Sequence, residues 1–333
     1  MQRFLLSGNP GRERMKIYLA PLEGITNYVY RKALFTCFDG FDKYFVPFIR
    51  AKQNLNLSGR EKKDLLPENN KGMYAVPQIL TRKAEDFIRT VELLKEYGYR
   101  EVNLNLGCPS KTVVTKGCGA GFLKDPGELE RFLDTVFEKC DMKISVKTRL
   151  GMEDASEFSE LMKVYNKFPL EELIIHPRVQ KDFYKNTPNL SAFAEAFAQS
   201  RNPVCYNGDI FCVEDYRRIR EKFPELGAVM TGRGVLADPA LARELRGGEK
   251  LTKSEFRKFH DLVYHTYREE VSGDRNVLFK MKELWFYMAP LFSDNKKYLK
   301  KIKKSEKCVV YESAVMELFG SESAVFDPEN LIR

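Results

Sequence analysis

Histidine is scarce in this chain: His176, His260 and His265 are the only three among 333 residues. The seven cysteines, Cys37, Cys108, Cys118, Cys140, Cys205, Cys212 and Cys308, are scattered, odd in number and never form a Cys-x-x-Cys pair. These absences exclude a zinc site of the usual spacing, and no metal is expected. They equally exclude a disulfide framework, so a reducing, cytoplasmic setting is expected. No stretch approaches the ~20 consecutive apolar residues of a membrane-spanning helix, so no membrane partner is expected. The amino terminus offers only Phe4-Leu5-Leu6, too little for a signal peptide, and residues 1–14 read as an extension before the first strand. No Gly-x-Gly-x-x-Gly follows that strand, which argues against a dinucleotide-binding Rossmann start.

What is present is the composition of a folded protein, 43% hydrophobic and 31% charged. The net charge of +8 is compatible with an anionic partner but alone is weak support for nucleic acid.

Eight short apolar runs can be marked: 16–21, 44–49, 74–80, 101–106, 143–149, 172–176, 203–207 and 227–231. Stretches with helical spacing lie between them, such as Phe87-Ile88, Val91, Leu93-Leu94 and Tyr97. Strand alternating with helix implies parallel βα units. Eight units in about 240 residues match a (β/α)8 barrel; an open doubly wound sheet would also alternate. The segment Leu55 to Lys71 is polar and reads as an irregular connection. The barrel is expected over 15–248 and a smaller helical domain over 249–333. Thr252-x-x-Glu255 opens the latter as a capping box, and a second helix is expected near Val277 to Leu291.

Barrels place their active sites at the carboxyl ends of the strands. Those ends read Ala20-Pro21-Leu22, Gln78, Asn105 to Cys108, Lys147 with Arg149, His176 with Arg178, Asn207-Gly208-Asp209 and Gly232-Arg233-Gly234. Amides, one lysine, one histidine and two glycine-rich turns suit a planar polar ring with a phosphate, held after strands seven and eight. The fourth end is the most unusual. Pro109 restricts Cys108 to extended geometry, and Gly107 permits a sharp turn, so Cys108 should stand at the lip of a loop. A Gly-Cys-Pro on its own more often marks a buried structural cysteine. In the helical part, Lys296-Lys297-Tyr298-Leu299-Lys300-Lys301-Ile302-Lys303-Lys304 is the densest basic run. It reads either as a solvated helix face or as a surface for a phosphate backbone.

The set of motifs resembles the flavin-dependent tRNA-dihydrouridine synthases. The matching stretches are Ala20-Pro21-Leu22-Glu23-Gly24-Ile25-Thr26-Asn27, Pro77-Gln78, Asn103-x-Asn105-x-Gly107-Cys108-Pro109-Ser110-Lys111-x-Val113 and Val146-Lys147-x-Arg149-x-Gly151. They continue with His176-Pro177-Arg178-x-x-x-x-x-Tyr184, Asn207-Gly208-Asp209 and Met230-Thr231-Gly232-Arg233-Gly234. Leu22 stands where methionine is usual, and Cys118 where a glycine or other small residue is common.

The resemblance implies an FMN enzyme that uses NADPH, or NADH, to reduce specific uridines in tRNA to 5,6-dihydrouridine. A monomer is expected. Cys108 would supply the proton to C5 while hydride reaches C6; a covalent role would block C6. Ala20, Pro21, Leu22, Gln78, Lys147 and His176 would bind the isoalloxazine, and Asn207, Gly208, Asp209, Gly232 and Arg233 its phosphate side. Asn105, Arg178, Lys181 and Tyr184 would hold the substrate uridine. Lys280, Lys282, Lys296, Lys297, Lys300 and Lys301 would grip the tRNA body. The rivals are an FMN barrel acting on a small molecule, and a non-catalytic tRNA-binding protein.

Overall fold

The structure, a computed structural model, describes residues 14–54 and 56–329. Of the expected amino-terminal extension only Arg14 falls within these residues, where it pairs with Asp42 at 2.9 Å.

Eight parallel strands close into a barrel in sequence order, with β8 returning to β1. They are β1 (Lys16–Leu19), β2 (Lys43–Arg50), β3 (Ala75–Leu80), β4 (Glu101–Leu106), β5 (Lys143–Arg149), β6 (Glu172–His176), β7 (Val204–Tyr206) and β8 (Ala228–Thr231). The open-sheet alternative is thereby excluded. Strands β4, β5 and β6 run over the residues their apolar runs predict. β1 stops two residues short of Pro21, because the chain turns there: the backbone N–H of Leu22 donates to Thr26 Oγ1 at 2.8 Å.

The connection 55–71 is more regular than its composition suggests. Ser58 and Glu61 form a capping box that starts the helix Gly59–Leu65, and a 3-10 turn follows over Pro67–Asn70. Asp64 and Asn70 then bind the fully buried Arg31, which also donates to Thr26 at 2.7 Å. This network braces the turn after β1.

Beyond the barrel lie helices Lys253–Glu270, Asp274–Met288, Lys296–Lys304 and Cys308–Gly320. The Thr252 capping box is present. The basic run forms a nine-residue helix of its own, with Ile302 buried and its lysines outward. One continuous apolar cluster passes from the outside of the barrel into these helices. The change at 248/249 is therefore a change in secondary structure, not a break in the core. Phe259 packs edge-on against Tyr30 with 5.5 Å between ring centroids, and Asn27 donates to the Tyr267 hydroxyl at 2.9 Å. Lys280 donates to the Gly24 carbonyl at 2.8 Å. These contacts seat the helices beside the turn after β1, at the carboxyl end of the barrel. No helix among the described residues is long and apolar enough to cross a membrane.

Candidate active site

A cavity of about 680 Å³ opens at the carboxyl ends of the strands. Nine of the residues singled out from the sequence line it: Pro21, Leu22, Gln78, Asn105, Cys108, Lys147, His176, Tyr184 and Arg233. They come from six strand ends or the loops that follow, and only the closed barrel brings them together.

Cys108 sits on a loop fixed from three sides. Asn105 Oδ1 accepts the backbone N–H groups of Gly107 at 3.1 Å and Cys108 at 2.9 Å. The carbonyl of Cys108 accepts from Ala120 at 3.1 Å. Arg149 Nε donates to the carbonyl of Gly107 at 2.9 Å. Gly119, at φ +57, lies so close that a Cβ there would meet the Cys108 carbonyl oxygen at 2.9 Å. The loop itself contains a short helix, Lys111–Val114, and a 3-10 turn, Gly119–Lys124. Burial pushes the Cys108 thiol up from its ordinary range, so it stays protonated at neutral pH. Cys118 shares a small apolar cluster with Phe48, Leu80, Val113 and Cys108 but faces a separate, smaller cavity.

Burial, with Arg149 nearby, lowers the Lys147 ammonium to about 8. His176 is held neutral by its burial and by the cations Arg149, Lys147, Arg178 and Arg233 around it. Its Nε2 lies 3.1 Å from Arg178 Nη1, and a guanidinium can only donate. The imidazole proton is therefore on Nδ1. Two guanidinium groups approach the Tyr184 ring, Arg149 at 5.5 Å and Arg233 at 4.7 Å from its centre.

The phosphate-side residues are tied to one another. Asp209 accepts from Arg178 at 2.9 and 2.6 Å and from Arg233 at 2.6 Å. Asn207 donates to the Met230 carbonyl at 2.9 Å. Ala20 and Gly232 do not line the cavity; they pack against each other, a Cβ on Gly232 coming 3.2 Å from that of Ala20. At Gly208 a Cβ would fall 2.0 Å from the Tyr206 hydroxyl, so only glycine fits.

Several expected substrate contacts lie elsewhere. Arg178 is buried and outside the cavity wall, its guanidinium occupied by Asp209, His176 and the Asn186 carbonyl. It braces the site and is not placed to grip a uridine. Lys181 pairs with Glu153 at 3.6 Å, away from the cavity. Lys280 and Lys282 reach backbone carbonyls, those of Gly24 and Ser305, so they tie their helix to the turn after β1 and to the end of the basic helix. Lys301 pairs with Glu317. Lys297, Lys300, Lys301 and Lys304 line a groove of about 850 Å³ with Val309 and Val310; Lys296 opens the same helix.

The sequence reading did not single out Phe48, Phe211, Ala237, Phe286, Tyr287 and Pro290, which also line the wall. Phe286 stands off the buried stripe of helix Asp274–Met288 and is 71% exposed. An apolar residue off the core stripe was the available signal.

The donor set suits a planar polar ligand with an anionic tail. Two amides and a neutral imidazole meet an ammonium, and a guanidinium marks the β8 end. The volume is of the usual size for such sites.

A profile of the family described as "Dihydrouridine synthase (Dus)" matches residues 18–319. The chain belongs to the dihydrouridine synthase family. The tRNA-dihydrouridine(16) synthase of Cupriavidus necator is 32% identical over 240 residues, covering 70% of this chain and 74% of the relative. The enzyme of that name from Pseudomonas syringae pv. tomato is 31% identical over 245 residues, covering 71% and 76%. Among solved structures, morphinone reductase aligns with a TM-score of 0.51 at 12% identity, over 72% of this chain and 88% of that one. Histamine dehydrogenase from Rhizobium sp. 4-9 aligns with a TM-score of 0.56 at 9% identity, over 83% and 51%. At such identities these two share the fold alone. The family match spans the barrel from within β1 and the helices after it almost to the end of the last.

Proposed function

We propose that the chain reduces uridine in tRNA to 5,6-dihydrouridine, with FMN in the cavity and NADPH or NADH as electron donor. The observation that carries this reading is the protonated Cys108 thiol, held at the rim of a cavity walled by Lys147, Arg149 and Arg233. Reduced FMN bound there would supply the hydride taken up at C6 of the uracil. Cys108 gives its thiol proton to C5, which completes the saturation of the bond, and the thiolate regains a proton from solvent. Its raised pKa keeps the donor loaded.

The other residues bind and orient. Gln78, Lys147 and the Nδ1–H of His176 would hold the cofactor's polar edge, and the Lys147 ammonium would favour its reduced, electron-rich form. Arg233, with the backbone of Gly232, serves the phosphate. Tyr184, exposed and stiffened by its two guanidinium neighbours, would contact the target base. That base must leave its stack to reach the cavity, so the tRNA body is held by shape and phosphate contacts. The helix Lys296–Lys304 supplies part of that grip. The relatives named above are named for position 16, and we assign this chain the same position.

The test is dihydrouridine content in unmodified tRNA transcripts incubated with FMN, NADPH and the protein, beside Cys108→Ala. Product from the parent, lost in a variant that still binds FMN, is the expected result. Mapping the product then checks position 16. Reduction of a small enone without reduction of any tRNA would overturn the reading.

A further inference from the structure

We propose that Glu101, at the amino-terminal end of β4, sets which hydrogen-bonding groups Asn105 and Gln78 turn toward the cavity. It does so through a one-way chain of buried polar groups. Only its consequence for ligands rests on the function proposed above.

The chain begins at the reactive cysteine. The Cys108 N–H donates to Asn105 Oδ1 at 2.9 Å, and Asn105 Nδ2 donates to Gln78 Oε1 at 2.6 Å. Gln78 Nε2 donates to Asn103 Oδ1 at 2.7 Å, and Asn103 Nδ2 donates to Ser145 Oγ at 3.0 Å. Ser145 Oγ donates to Glu101 Oε1 at 3.0 Å. Lys43 Nζ holds the other carboxylate oxygen at 2.8 Å. Glu101, Asn103 and Asn105 alternate along β4 and share its inner face. Gln78 and Ser145 are the register partners of Asn103 on the strands to either side.

The direction is forced at both ends. A backbone N–H can only donate, and an ionised carboxylate can only accept. An amide turned over anywhere between would set donor against donor or oxygen against oxygen. The bonds also polarise one another in the same sense.

Direction decides what remains. Both lone pairs of Asn105 Oδ1 are taken, by Gly107 and Cys108. Asn105 thus shows the cavity an N–H and no acceptor. Gln78 keeps one N–H and one lone pair. Asn105 accordingly takes a carbonyl oxygen, and Gln78 an imide edge in which C=O and N–H are neighbours. A base with an amino group where uracil has its C4 carbonyl finds a donor facing a donor and is refused. Glu101, Asn103 and Ser145 touch no ligand; they are positioning residues.

Hydrogen exchange in isotope-labelled protein without ligand tests the chain directly. In the parent, Gln78, Asn103 and Asn105 each show one slow and one fast side-chain amide proton. Ser145→Ala cuts the chain with little change in volume. It should speed the Cys108 N–H and the slow amide protons about tenfold, as one lost hydrogen bond does. Unchanged rates would overturn the proposal. FMN titration is the second arm. Glu101→Gln removes the acceptor-only end, leaves the chain's direction to the backbone N–H end alone, and should weaken FMN binding up to about tenfold. Adding Asn103→Asp restores a carboxylate one step higher and should recover it. A double variant no tighter than Glu101→Gln counts against the chain. If Glu101→Gln does not fold, the Ser145→Ala rates decide. If the parent binds no FMN, the cofactor reading fails while the exchange pattern still decides this one.

Discussion

Arg149 donates from Nε to the carbonyl of Gly107 at 2.9 Å, and its other nitrogens donate to Val179 at 2.9 Å and Phe183 at 2.8 Å. One β5 side chain thus clamps the cysteine loop after β4 to the loop after β6 that carries Tyr184. Phe183 has φ 51, an unfavourable conformation for a side-chain-bearing residue, and its carbonyl is one of the three held. The planar fork of an arginine can serve three carbonyls in three directions, and a lysine cannot.

Arg149→Met should therefore lower stability by about 3 kcal/mol, because it leaves buried carbonyls without donors. Arg149→Lys should recover only part. The urea midpoint measures both. A midpoint equal to the parent's would mean that the two loops hold their places without the clamp.

Much of this was readable in advance, and the exceptions have physical causes. The barrel was legible because its strands are buried on both faces and so appear as apolar runs. Asn103 and Asn105, polar residues inside one such run, find their partners on the neighbouring strands, Asn103 on Gln78 and Ser145 and Asn105 on Gln78. The role of Arg178 was not legible: a strand-end arginine looks like a ligand contact, and its carboxylate partner Asp209 lies 31 residues further on. The helix Gly59–Leu65 carries few apolar residues. Its anchors are Asp64, which accepts the Tyr28 N–H at 2.6 Å, and the Ser58 capping box. The box was present in the sequence; the tertiary partner was not visible there. Phe286 and Tyr287 reach the cavity from a helix more than 100 residues beyond Tyr184, by packing that no local pattern encodes.

Lys147 should trade stability for binding. Its ammonium titrates at about 8 in the folded chain against an ordinary 10.5, so the unfolded chain holds the proton more tightly. Stability then rises with pH between 8 and 10.5, and the full penalty, about 3 kcal/mol, applies below 8. Lys147→Met should stabilise the ligand-free protein at pH 7, and this pH-dependent gain should vanish by pH 10.5. The same variant should bind FMN at least about tenfold more weakly. Urea denaturation at the two pH values checks the first effect and flavin fluorescence the second. A gain that does not change with pH would rule out the titration as its source.

The raised pKa of Cys108 fixes a pH profile. Single-turnover reduction should stay level through neutral pH and fall only above 9, the ordinary value for a thiol, as the proton is lost. Cys108→Ala should slow reduction by about a hundredfold or more and abolish that alkaline fall. Retention of the alkaline limb in the alanine variant would assign it to another group.

The lysines of the carboxyl-terminal helices should divide into two kinds. Lys297→Gln and Lys300→Gln should weaken tRNA binding and reduce the slope of log affinity against log salt by about one for each phosphate no longer neutralised. Lys282→Gln instead removes the donor to the Ser305 carbonyl, so its main effect should be a lower melting temperature. Filter binding over a salt series, with melting curves alongside, separates the two. Equal salt slopes for the parent and the Lys297 and Lys300 variants would remove this helix from the RNA interface.

Phe286 should matter to tRNA and not to the cofactor. It is exposed, packs edge-on against Tyr287 with 5.0 Å between ring centroids, and lines the mouth of the cavity. A base drawn out of its stack leaves its neighbours with bare faces at that mouth, and an exposed aromatic ring can cover one of them. Such stacking is worth about 1–3 kcal/mol per base. Phe286→Ala should therefore raise KM for tRNA by roughly five- to a hundredfold, since 1.4 kcal/mol is tenfold. Its FMN affinity and melting temperature should stay near the parent's, because the ring has no place in the core. Phe286→Trp should keep KM low, whereas Phe286→Leu, similar in apolar character but without a flat face, should not. If leucine serves as well as tryptophan, the contact is simple apolar burial and stacking has no part in it.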